Sequence, residues 1–253
     1  MDDHAITNRK VASLDPTWRA WRGVSVLFDN PGRPPGRRLE DTTEAGIPQQ
    51  RLYDDLAMLL EAAQPEVLRS AYGFCPLPRA TYHVTVCDGP NEVELARAAG
   101  PGVAAMAPIL AALPDSLARV PDALAFADPG GLERAVADTA VTFAADALVI
   151  WGSVLAARLV AAGDTSASAR QGITGAREAF ADALNATLGI TVKPWRPHVS
   201  LGYFANLDGA RQAEERLAEW NRRLGASQPR SITFRSAALY GFTDMVSFFR
   251  VDA

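Results

Sequence analysis

The chain is poor in cysteine and histidine and has no long apolar run. Its two cysteines, Cys75 and Cys87, are too few for a disulfide framework and have no metal-ligand spacing. No cluster of His, Asp, Glu or Cys resembles a metal site, so neither a metal nor an organic cofactor is expected. No apolar stretch approaches the roughly 18 residues that a membrane helix needs, so a membrane partner is not expected. Basic residues are not in excess: 25 Lys and Arg stand against 29 Asp and Glu, a formal net charge of −4. That balance argues against a broad nucleic-acid surface but leaves room for a small anionic ligand in a local basic pocket. Residues 1–9 are polar and mixed in charge, unlike a signal peptide, and a cytoplasmic location is expected. There is no Gly-x-Ser-x-Gly elbow, which a Ser/His hydrolase of the common kind would need. Gly100-Pro101-Gly102 has neither a preceding strand nor phosphate-loop spacing and reads as a break between helices.

Apolar residues make up 48 % of the 253 positions, enough core for one large domain or two lobes. Residues 1–19 read as a loosely docked tail. Residues 21–28 (WRGVSVLF) form an expected strand, closed by Asp29-Asn30-Pro31-Gly32. The Pro/Arg-rich residues 33–38 read as a solvated loop. Leu52, Leu56, Leu59 and Leu60 recur at helical spacing after Pro48, and a short helix is expected over 66–72. Residues 91–119 are Ala-rich and helical in pieces. Residues 122–127 and 140–151 read as paired strands about an Asp128-Pro129-Gly130-Gly131 turn. Residues 163–169 read as a loop, and 173–188 as a helix stopped by Gly189. Expected strands over 191–204, 231–242 and 245–251 flank a charged helix over 209–224, the last two strands meeting at Thr243-Asp244. Strands and helices in this order predict an α+β fold with mixed sheets, not an alternating parallel sheet.

Of the three histidines, His4 lies in the tail and the other two sit in matching contexts: Tyr82-His83-Val84-Thr85-Val86 and Pro197-His198-Val199-Ser200-Leu201. In extended chain, alternate side chains share a face. His83 and Thr85 then face one way and Tyr82, Val84 and Val86 the other. Arg196, His198 and Ser200 share a face, and Val199, Leu201 and Tyr203 take the apolar one. Imidazole and hydroxyl stand about 7 Å apart along each strand. Histidine exchanges protons near neutral pH, and a hydroxyl donates to an anionic oxygen. Alternation carries Cys87 onto the His83 face, where it either lines the site or is a small buried filler, and Arg79 has the same parity. Arg196 is a candidate phosphate partner or a structural ion pair; Trp151, Tyr203 and Tyr240 are candidate platforms for a base or core aromatics.

With Leu77-Pro78 before the first motif and Trp195-Arg196-Pro197 before the second, the pair resembles the two-histidine (2H) phosphoesterase superfamily, including bacterial RNA 2′,3′-cyclic phosphodiesterase and 2′-5′ RNA ligase-like proteins. The resemblance spans about residues 20–250, though only the two motifs are specific. It implies one bilobal domain over residues 20–253, two pseudo-symmetric lobes of mixed or antiparallel sheet each carrying one motif, and a cleft between them. It also implies metal-independent opening of a cyclic phosphate or 2′-5′ phosphodiester on a nucleotide or RNA end. His83 and His198 would be acid and base in an order left open, with Thr85 and Ser200 holding the phosphate. The expected partner is a small nucleotide or RNA terminus, and the expected state a monomer. A nucleotide or RNA-end sensor using the same pocket without turnover is the alternative, although binding alone does not require two titrating groups.

Overall fold

In residues 23–28 apolar and small side chains alternate, and this places Val24, Val26 and Phe28 in the main core while Ser25 and Leu27 face the other way. The computed structural model describes residues 4–227 and 231–251. In chain order the strands are β1 (Val11–Ser13), β2 (Thr17–Trp18), β3 (Gly23–Phe28), β4 (Phe74–Pro76), β5 (Thr85–Asn91), β6 (Val141–Trp151), β7 (Val154–Ala161), β8 (His198–Phe204), β9 (Ile232–Phe234), β10 (Ala237–Phe242) and β11 (Phe248–Arg250). The helices are α1 (Arg51–Ala62), α2 (Pro65–Tyr72), α3 (Glu92–Leu95), α4 (Val103–Ala111), α5 (Val120–Ala123), α6 (Pro129–Ala137), α7 (Asp164–Leu188), α8 (Leu207–Ala213) and α9 (Leu217–Ser227).

The architecture is α+β, with antiparallel sheets and flanking helices. One four-stranded sheet has the order β11-β10-β3-β5, and a five-stranded sheet the order β4-β8-β7-β6-β9. Aromatic rings join the two: Phe28 of β3 stacks on Phe234 of β9 at 4.6 Å and meets Phe143 of β6 edge-on at 5.9 Å. The expected leucines of α1 are buried in the same core. The expected stop at Gly189 holds as well, and Gly73 acts in the same way. Gly73 and Gly189 take positive φ of 63° and 73°, closing α2 and α7 with backbone bonds to Arg69 and Asn185. Among the described residues no helix is long and apolar enough to cross a membrane.

Several sequence expectations are corrected. Residues 122–127 are helical turns, not a strand. Asp128-Pro129 is a helix start instead of a hairpin turn: the Asp128 carboxylate accepts from the Gly131 amide, and Pro129 occupies the first turn of α6, where a missing N–H costs nothing. The hairpin partner of β6 is β7, joined through Gly152 at φ +59° and Ser153, and β9 pairs on its other side. Helix α7 begins at Asp164, over the stretch read as a loop, and the Ser166 hydroxyl accepts from the Thr142 amide at 3.0 Å. The N-terminal segment is not a loose tail. Thr7 and Asn8 amides bond the Ala205 carbonyl at 2.9 and 2.8 Å, the Asn8 side chain donates to Phe204 O at 2.8 Å, and β1 pairs with β2.

The two sheets are also held together from α7. The buried Arg177 guanidinium donates through Nε to the Val86 carbonyl of β5 at 2.6 Å and through Nη2 to the Lys193 carbonyl at 3.2 Å. It lies over the Trp195 ring at 5.6 Å, and Trp195 Nε1 donates to the Thr85 carbonyl at 3.0 Å. Arg177→Met leaves two carbonyls without their donor. At roughly 1–3 kcal/mol for each orphaned acceptor, it should lower the unfolding free energy by about 2–6 kcal/mol. The melting temperature should drop by roughly 4–24 °C. Arg177→Lys should fall between the two proteins in calorimetry, and a melt of Arg177→Met within a degree of wild type would contradict this role.

Candidate active site

His83 is delivered to its place by a stiff approach. Residues 79–81 form one 3-10 turn after Pro78, with the Thr81 amide and hydroxyl both bonded to the Pro78 carbonyl. The buried Tyr82 and Val84 fix the chain on either side. Asn30 donates to the Tyr82 carbonyl at 3.3 Å, and the Phe28 amide bonds the Val84 carbonyl at 3.1 Å, so pairing with β3 starts just ahead of β5. The imidazole packs on the Phe248 ring of β11 at 4.6 Å. His198 opens β8 after Pro194 and the buried Pro197, whose carbonyl takes the Leu159 amide at 2.9 Å. Its ring meets Trp151, at the end of β6, edge-on at 5.3 Å.

Both imidazoles are held by one device. His83 Nδ1 lies 2.8 Å from the Thr81 carbonyl, and His198 Nδ1 lies 2.7 Å from the Arg196 carbonyl, in each case two residues back. A carbonyl only accepts, so Nδ1 carries the proton on both rings. Each Nε2 is left to accept a proton when the ring is neutral or to donate one when it is charged. Both histidines line one cavity of about 550 Å³, together with Thr85 and Ser200. Neither hydroxyl is bonded by another protein group among the described residues, so both can donate to a ligand.

The cavity-facing parity runs as expected through each motif and then breaks. Val26 pairs with Cys87 and Leu27 with Thr85, leaving Val86 as an extra, bulged residue. Leu155 pairs with Gly202 and Ala156 with Ser200, leaving Leu201 extra in β8. A bulge shifts every later side chain to the other face. Cys87 therefore turns into the core instead of the site, and Asp88 lines the cavity. By the same shift Tyr203, on core parity by simple alternation, lines the cavity with His198 and Ser200. Burial pushes the Cys87 thiol up to about 12, with Arg177 offsetting only part of the rise, so it is no nucleophile.

Other candidates stand elsewhere. Arg79 does not line the cavity: the 3-10 turn breaks the strand parity before it is reached, and its Nε bonds Asp54 Oδ1 at 2.7 Å. Arg196 precedes β8, is exposed, and lies over the Trp151 ring at 5.7 Å; its carbonyl, not its side chain, serves the site. Trp151 backs the His198 ring instead of lining the cavity. Tyr240 is fully buried, its hydroxyl donating to Asp29 Oδ1 at 2.8 Å. Sequence reasoning missed Ser25, Lys10 and Phe248 as cavity residues. Alternation along β3 could have found Ser25, but no pattern pointed to Lys10.

Burial is the largest influence on His83 and lowers its pKa from the ordinary 6.5 to about 4. The Thr81 carbonyl and Asp88 oppose the fall, while charge on His198 or Lys10 adds to it. His83 is thus neutral at neutral pH, with a bare Nε2 facing the cavity. Among the described residues no group of three or more His, Cys, Asp or Glu is gathered to hold a metal ion.

No family model matches the chain, and no curated protein matches it. Among solved structures it is similar to a conserved protein of unknown function from Agrobacterium tumefaciens strain C58, at 16 % identity and a TM-score of 0.47, over 95 % of this chain and 88 % of that one. A likeness of that size carries no weight for the chemistry of the site.

The depressed pKa of His83 has a consequence for stability. The unfolded chain binds the proton near pH 6.5 and the folded chain near pH 4, so the contribution is complete above pH 6.5 and is lost as pH falls from 6.5 through 4. Between pH 7 and about pH 4.5, wild type should lose roughly 2 kcal/mol more than His83→Gln in urea unfolding. Equal losses in the two proteins would show that His83 is not held neutral.

Proposed function

We propose that this protein is a phosphodiesterase of the two-histidine (2H) phosphoesterase kind, opening a cyclic phosphate or 2′-5′ linkage on a nucleotide or RNA end. One observation carries the reading: two imidazoles with Nδ1 tied to the carbonyl two residues back line a single cavity with two unengaged hydroxyls. The motifs share more than their letters. In each, the hydroxyl follows the histidine by two positions and the bulge follows the hydroxyl by one. One motif belongs to each sheet, which supports two pseudo-symmetric lobes with the cleft between them. A cavity of about 550 Å³ suits a mononucleotide or a chain end, not a long duplex.

The roles follow from the surroundings of the rings. Neutral His83 accepts the proton of the attacking water at Nε2 as the new P–O bond forms. His198, in its doubly protonated form, gives its Nε2 proton to the leaving oxygen as the old P–O bond breaks. Thr85 and Ser200 donate to the non-bridging oxygens, where the charge of the pentacoordinate state gathers. The product is a phosphomonoester, and solvent restores the two protonation states. Proton transfer at both ends is then supplied by side chains, so turnover should survive EDTA.

Single-turnover kinetics on nucleoside 2′,3′-cyclic phosphates and 2′-5′ dinucleotides test this. His83→Ala and His198→Ala should each lose about 10²–10⁴-fold in rate, and the double mutant less than the product of the two. Thr85→Ala and Ser200→Ala should lose up to about 10²–10³-fold, with Thr85→Ser mild. kcat/KM should fall at both ends of the pH range, the acid limb lying near pH 4, where His83 takes up its proton. Folded histidine variants as active as wild type would refute the mechanism.

A further inference from the structure

Lys10 sits in the cavity wall, on the N-terminal segment docked beside β8. Its backbone is fixed: the amide donates to Asn8 Oδ1 at 3.0 Å and the carbonyl accepts from the Arg19 amide at 3.0 Å. Its Nζ lies 3.4 Å from the Tyr203 hydroxyl, 4.9 Å from the Tyr203 ring centre and 5.3 Å from the Trp21 ring centre. Two aromatic faces hold the cation in place without neutralising it. Among the described residues no carboxylate oxygen is within ion-pair distance of Nζ. The half-buried Arg79 and Arg250, by contrast, are paired with Asp54 and Asp29. An ammonium has three donors, and Lys10 uses one, in a long bond.

Charge counting across the site points the same way. A phosphodiester is an anion, and attack on it gathers more negative charge on the non-bridging oxygens. Thr85 and Ser200 are neutral donors, and a base–acid pair of histidines brings one positive charge at most. Arg9, Arg97 and Lys193 also line the cavity, with the carboxylates of Asp88 and Glu94, and Glu94 acts on Lys10 at longer range. Lys10 is the lysine fixed between Tyr203 and Trp21 with no carboxylate of the described residues within ion-pair distance, and its ammonium adds the positive charge that the pair lacks.

We propose that Lys10 is an anion-binding residue of this cavity, its ammonium taking a non-bridging phosphate oxygen beside the two imidazoles. The N-terminal segment is then part of the ligand site. This deepens the phosphodiesterase reading and rests on it for the ester, but not for the anion. The probe is therefore orthophosphate, followed by ³¹P line broadening with wild type, Lys10→Met and Lys10→Arg. Lys10→Met keeps the apolar stem against Trp21 and Tyr203, so a purely structural lysine would move the melting temperature and leave phosphate affinity alone. The expected result is binding that weakens about tenfold or more in Lys10→Met and is largely kept in Lys10→Arg. KM for a nucleoside 2′,3′-cyclic phosphate should rise in parallel in Lys10→Met. Equal affinity in wild type and Lys10→Met, or no binding by wild type, overturns the proposal whatever the turnover. Binding through Lys10 by a wild type that opens no phosphodiester upholds it and sinks the phosphodiesterase reading alone.

Discussion

The site depends on one buried cation. Arg177 reaches out of α7 to the Val86 carbonyl on one side and the Lys193 carbonyl on the other. Val86 is the bulged residue of β5, and a bulge leaves backbone groups that the ladder cannot serve. The guanidinium satisfies this one and, with the same side chain, ties the first motif to the lead-in of the second. Trp195 adds a second tie, from its indole nitrogen to the Thr85 carbonyl. The Arg177–Val86 and Trp195–Thr85 bonds join residues 91 and 110 positions apart, and both end on backbone at the first motif. The relative placement of the two histidines is therefore set by side chains that never face the cavity.

From that frame the chemistry follows by small local means. A carbonyl two residues back decides which imidazole nitrogen carries the proton, in both motifs. Burial favours the neutral form of His83, which packs against Phe248; His198 stands at a strand end beside Trp151. The proposed mechanism asks for a base and an acid from two copies of one residue type, and unequal surroundings are how a protein makes such copies differ. The bulges add the rest of the wall by turning Asp88 and Tyr203 toward the cavity and Cys87 away from it.

Much of this was legible because period two is a strong signal over four or five residues. It placed His83 with Thr85, and His198 with Ser200, against the buried Val84, Val86, Val199 and Leu201. It failed where backbone geometry interrupts alternation. A bulge leaves no mark in Thr85-Val86-Cys87 or in Ser200-Leu201-Gly202. Simple alternation therefore put Cys87 on the cavity face, where burial makes it the small filler that was its other reading, and gave no sign that the buried Tyr203 also lines the cavity. A 3-10 turn took Arg79 off the strand, and Asp128-Pro129, which reads as a turn, caps a helix. Tyr240 offered a ring with a polar tip, which sequence cannot tell from a core tyrosine bonded to a buried Asp29. Lys10 was invisible because its place depends on Asn8 pinning the segment to Phe204 of β8, a contact across 196 positions.

The central claim is that both Nε2 atoms serve one phosphorus. A crystal grown with uridine and vanadate, whose trigonal-bipyramidal adduct stands in for the pentacoordinate phosphorus, tests it directly. The account predicts one vanadium centre in this cavity, with oxygens within hydrogen-bond distance of His83 Nε2, His198 Nε2 and both hydroxyls. Vanadate bound elsewhere, or touching only one of the two imidazoles, would contradict it.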